Sequence, residues 1–144
     1  MSKANEQLNQ VLADTYLLGV KTHAAHWNVT GPYFNALHIA FSTQYTALLE
    51  GADVLAERLR ALGHKAPTGM KSLLKHASLD AEISVSDGVK LAKSLAEDHR
   101  ALAKSCAKAI AVAEDADDRA TVDLLTVRTI EHEKTAWMLE STAA

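Results

Sequence analysis

Three of the seven histidines fall in one short stretch, "KTHAAHWNVTGPYFNALH", residues 21–38. His23 and His26 are three apart and share a helix face, and His38 lies just past a turn signal at residues 28–32. Neutral imidazole carries a nitrogen lone pair and is the commonest metal ligand among side chains. Further on, "EGADVLAERLR" sets Asp53 and Glu57 four apart on one helix face, with Glu50 three before Asp53. Two imidazoles and two carboxylates form the mixed nitrogen–oxygen set that suits divalent iron, manganese or zinc. Each half also has a plainer reading. Asp53 and Glu57 can be a solvated face paired with Arg58 and Arg60, and His26 and His38 can be helix caps or buried hydrogen-bonded rings. His23 reads first as a surface histidine and only second as a further ligand.

Spacing decides how such a set could close on an ion. The bundle signature of an intrachain di-iron site, Glu-x-x-His, is absent: Asp53, Arg60 and Lys134 follow Glu50, Glu57 and Glu131 at that offset. His38 and Asp53 are fifteen positions apart, ~22 Å along one helix at ~1.5 Å per residue. Metal–ligand bonds are ~2 Å, so the two residues cannot share an ion within one chain. A twofold axis passing near residues 46–48 would bring His26 and His38 of one copy to Asp53 and Glu57 of the other. Ala36, Ala40, Thr43, Ala47 and Gly51 make a small-residue strip that lets two helices approach, although the same strip could serve packing within the chain.

The elements needed to present these residues are helices. Apolar positions recur at helical spacing over about residues 4–28 (Leu8, Val11, Leu12, Thr15, Leu18, Thr22) and 34–62 (Leu37, Phe41, Tyr45, Leu48, Leu49, Leu55). Gly31 and Pro32 break the first helix and Gly63 follows the second. A longer connection over residues 63–84 contains "MKSLLKHA", enough for two turns of amphipathic helix. A third long helix is predicted over about 84–112, opened by the serines of "SVSD", and a fourth to about Glu140, with Asp115 as a plausible cap. At 144 residues, 48% hydrophobic and 23% charged, with 6 Gly and 2 Pro, the chain reads as a single domain over 1–144 of all-α class. Short bends after the first and third helices and a long crossover between the second and third describe a ferritin-type four-helix bundle, with a short extra helix in the crossover. A net charge of −3 argues against a general nucleic-acid binder. The single cysteine, Cys106, forms no intrachain disulfide and reads as a buried structural thiol in a reducing compartment. No signal peptide and no apolar stretch of ~20 residues is present, so a cytoplasmic location without membrane contact is expected.

"HWNVTGPYFNALH" followed by "DVLAERLRALG", with "DLLTVRTIEHEKTAWML" near the end, resembles the Dps family, the mini-ferritins of DNA protection during starvation, over nearly the whole chain. The resemblance implies a hollow dodecamer that oxidises Fe(II), preferably with hydrogen peroxide, and stores Fe(III) mineral. It implies an intersubunit ferroxidase centre with His26 and His38 from one subunit and Asp53 and Glu57 from the other, with Trp27 beside it. Zinc could compete for such ligands. It also places Asp118 and Asp123 where acidic residues line a threefold entry pore. The position four after His38, commonly aspartate in the family, is Ser42, which removes a charge and weakens the second iron position. The alternative is therefore an architectural or DNA-protecting shell with a weakened metal site. DNA binding itself is expected to be weak or absent, because Lys3 is the one basic residue ahead of the first helix and "ESTAA" has none. The location expected is cytoplasmic, at or away from the nucleoid.

Overall fold

The structure is a computed structural model describing residues 2–144. Four long helices, α1 (Lys3–Asn28), α2 (Phe34–Ala61), α4 (Gly88–Asp115) and α5 (Arg119–Ala143), form the bundle, and the short α3 (Met70–His76) lies in the crossover as the sequence predicts. α1 pairs with α2 and α4 with α5, α1 packs on α4, and α3 lies against α1. Among the described residues, no helix is long and apolar enough to cross a membrane.

The apolar face predicted for α1 is buried, but the burial is wider than one stripe, because the crossover covers a second side. Asp14 is drawn in with it: its carboxylate accepts from the backbone N–H of Ser78 (2.7 Å) and Leu79 (3.0 Å) and from the Ser78 hydroxyl (2.6 Å). That arrangement clips the end of the crossover to α1 and satisfies a buried charge with three donors. On another side Lys21, 4% exposed, ion-pairs with Asp98 of α4 at 2.6 Å. Leu91, Leu95, Leu102 and Cys106 recur along the buried face of α4 and meet Leu125 and Leu139 of α5 in the core.

The bend that returns α2 along α1 rests on Gly31, whose φ of 111° is open to glycine and strained for other residues. Thr30 anchors it, accepting from Gly88 N–H (3.0 Å) and donating its own N–H to Ser86 (2.9 Å). The start of α4 therefore lies against the bend, so close that a Cβ on Gly88 would stand 2.9 Å from Leu37 Cδ1.

Two helix starts differ from the sequence expectation. α4 begins at Gly88, capped by Asp87, whose carboxylate accepts from Lys90 N–H at 3.0 Å, rather than by the serines before it. α4 then runs through Asp115, Asp117 takes a positive φ of 59°, and Asp118 caps α5. In both places an aspartate stands where its carboxylate reaches the N3 amide, and a charged acceptor serves the positive helix end better than a hydroxyl.

Candidate metal centre

α1 ends and α2 begins on either side of the bend, which lays His26 beside His38. Their rings stack with centroids 3.9 Å apart and planes 11° apart. Each ring is tied to the other residue's backbone: His26 Nδ1 lies 2.6 Å from the His38 carbonyl, and His38 Nδ1 lies 2.7 Å from the His26 carbonyl. A carbonyl can only accept, so both Nδ1 atoms carry the proton and donate. In the neutral rings the lone pairs are then on the two Nε2 atoms, neither of which has a partner among the described residues. A backbone carbonyl on the far nitrogen is the arrangement that orients an imidazole for metal ligation.

The carboxylate half sits on α2 well away from this pair. Asp53 and Glu57 are exposed and adjacent, and a hydrogen bond and the charge of Asp53 raise the Glu57 carboxyl above its ordinary value. The cations that a solvated acidic face would use are committed elsewhere. Arg58 donates to Asp118 (2.8 Å) and to the Thr121 hydroxyl (2.9 Å), and Arg60 donates to the His64 carbonyl (3.2 Å). Among the described residues no cation lies within 4.0 Å of Asp53 or Glu57. Two un-neutralised carboxylates side by side favour an external cation or a shared proton.

Among the described residues no three histidine, cysteine, aspartate or glutamate side chains gather to hold a metal. His23 stacks on Tyr45 (4.0 Å, 20°) and leans on Trp27 (4.2 Å), with its centroid 6.2 Å from His26. Ser42, one turn after His38, is half-buried. Of the small-residue strip, Ala40, Thr43 and Ala47 line a cleft between α2 and α5 and Gly51 is buried under Arg128 of α5, while Ala36, Thr43 and Ala47 stay exposed. Asp53 instead borders an apolar groove with Tyr16, Leu49, Ala56 and Leu73. Asp118 is tied into the α5 cap. Partial burial would raise its carboxyl, but hydrogen bonds from Thr121 and the Arg58 guanidinium outweigh this and hold it below the ordinary value. Asp123 is exposed.

Among the buried polar residues that sequence reasoning passed over are His99 and His132. His99 falls on the apolar face of α4 between Leu95 and Leu102, a signal legible in the sequence, whereas its pairing with α5 is not. Cys106 is fully buried, and burial pushes its thiol up to about 11, which makes it unreactive at neutral pH.

A ferritin-like domain, the class that this bundle and its intercalated short helix define, matches residues 5–144. DNA protection during starvation protein 2 of Bacillus anthracis is 34% identical over 136 residues, covering 94% of this chain and 93% of that protein. The crystal structure of a Dps protein from Bacillus brevis superposes with a TM-score of 0.93 at 32% identity, covering the whole of both chains. That of a Dps protein from Vibrio cholerae O1, described as a member of the ferritin-like diiron-carboxylate superfamily, gives 0.92 at 29% identity, covering 98% of this chain and 88% of that one. The chain belongs to the Dps family of ferritin-like proteins.

Proposed function

We propose that the protein detoxifies and stores iron as a hollow oligomer, a dodecamer, whose ferroxidase centres lie at twofold interfaces. His26 and His38 of one subunit and Asp53 and Glu57 of its partner hold the iron. The observation that carries this reading is the pair of backbone-tied imidazoles with free Nε2 atoms, standing ~22 Å along the bundle from two un-neutralised carboxylates. Each half lacks what the other offers. The groove beside Asp53 and the exposed Ile39 (65%) and Val54 (49%) of α2 supply apolar surface that a second copy would cover. Val127, Ile130, Trp137 and Met138 do the same on α5 and suit further contacts in a closed shell.

Iron is the substrate. The neutral imidazoles bind Fe(II) without adding charge, and the carboxylates favour Fe(III), so the site lowers the cost of oxidation. Two Fe(II) each give one electron to one hydrogen peroxide, which takes up two protons and leaves as two waters. The peroxide oxygens thus never leave as hydroxyl radical, and the Fe(III) passes to mineral in the interior. Asp123, exposed near the start of α5, is the freer of the two pore candidates, since Asp118 is held by Thr121 and Arg58.

Ser42 favours a second reading, an architectural shell with a weakened centre, because its hydroxyl is a poor ligand for a hard cation. One experiment separates the two. The purified, size-measured oligomer is titrated anaerobically with Fe(II), then given peroxide, and ferric absorbance is followed with and without zinc. A rapid rise that saturates per subunit and is blocked by zinc is expected. An oligomer that oxidises iron no faster than buffer would leave the shell reading standing.

A further inference from the structure

The α2–α5 cleft, of about 320 Å³, is separate from the carboxylate and histidine sites above and is lined by unused polar groups. His99 and His132, 2% and 1% exposed, meet Nδ1 to Nδ1 at 3.0 Å. Arg128 Nη2 lies 3.5 Å from His132 Nε2, and a guanidinium can only donate, so that nitrogen bears the lone pair. The His132 proton is then on Nδ1 and is given to His99 Nδ1, which leaves the His99 proton on Nε2. That buried N–H has no partner, and His99 lines the cleft.

Arg128 is unsatisfied in the same place. Its Nε is buried without an acceptor, and among the described residues no carboxylate lies within 4.0 Å of its guanidinium. Gln44, another residue lining the cleft, has a buried Oε1 without a partner, and a half-turn of the amide puts its NH2 in that place. The guanidinium lies over the α2 backbone at Gly51, where a Cβ would stand 2.6 Å from its central carbon. A half-buried cation on which Glu131 acts only from beyond ion-pair distance is costly, and unpartnered N–H donors on the residues lining one cavity are the complement of an oxyanion. A cation is the wrong guest, since Arg128 repels it and the imidazole Nδ1 atoms are spent on each other. The volume is about ten times the ~30 Å³ share of one water, enough for a tetrahedral oxyanion with its remaining waters.

We propose that this cleft binds a small oxyanion of the phosphate type, held by Arg128 and His99 with Gln44. Glu131 and Lys134, of opposite charge, stand at its exposed end. The site is independent of the iron reading and is tested on metal-free oligomer by calorimetric titration with inorganic phosphate and, separately, AMP in an oxyanion-free buffer. Saturable binding near one phosphate per chain is expected, with AMP binding as well only if phosphate esters are the natural source. Arg128→Gln should weaken it at least ~10-fold, the loss of one charge-assisted contact. Glu131→Gln should tighten it severalfold by removing a like charge. Gly51→Ala, which displaces the guanidinium without removing it, should also weaken it and covers the case in which Arg128→Gln fails to fold. Absence of saturable binding to either ligand, or equal affinity in Gly51→Ala and the parent, would overturn the proposal.

Discussion

If the ferroxidase centre is shared between chains, two different dead variants should restore each other. The perturbation is co-expression of His26→Ala/His38→Ala with Asp53→Ala/Glu57→Ala, each carrying its own affinity tag, followed by tandem purification of mixed oligomers. Asp53 lies fifteen residues beyond His38 on α2, ~22 Å, about tenfold a metal–ligand bond, and α2 is a continuous helix that cannot fold the two together. Neither variant alone can therefore assemble all four ligands. In a random equal mixture about half of the dimers are mixed, and each mixed dimer has one complete centre and one lacking all four ligands. The complete centres are thus about a quarter of the wild-type number. Stopped-flow ferric absorbance after peroxide addition should show roughly a quarter of the wild-type burst in mixed oligomers and almost none in either parent variant. A burst at the parental level in verified mixed oligomers would refute the shared site, because an intrachain centre gains nothing from mixing.

Burial first, then Arg128, lowers His99 to about 3, and burial, His99 and Arg128 lower His132 to about 2. The unfolded chain takes up protons at these residues below ~6.5 while the folded chain does not, so stability falls as pH drops from ~6.5 towards 3. At pH 5 the two together cost about 4 kcal/mol, and His99→Leu/His132→Leu should flatten the pH dependence of denaturant midpoints over that range. Ser42→Asp should tighten the weaker iron position, and an iron titration identical to the parent would count against the role given to Ser42. Lys21→Met leaves the Asp98 carboxylate, already raised by burial against the pull of Lys21, without its partner. A destabilisation of about 3 kcal/mol is expected, read by chemical denaturation, and Lys21→Met/Asp98→Leu should recover much of it.

What the sequence settled is what repeats along it. The period of Leu8, Val11, Leu12 and Leu18 and of Leu91, Leu95 and Leu102 prescribes helices, because each turn must present one face to the core. The glycine at residue 31 and the glycine at residue 63 mark where those helices stop, since both take a positive φ. The ~22 Å between His38 and Asp53 was legible too, for helix rise is a fixed length per residue and α2 is continuous. Tertiary structure decided everything that depends on which residues meet across helices. Only the packed bundle shows that His26 and His38 tie each other's Nδ1 atoms, that Arg58 leaves Glu57 for Asp118, and that Asp118 rather than Asp115 caps the last helix. The His99–His132–Arg128 group belongs there too, since its members are 33 and 29 positions apart from α4 to α5 and no local pattern ties them. Backbone spacing is encoded in neighbours along the chain, whereas a hydrogen-bond partner is chosen by whatever acceptor folding brings within 3 Å.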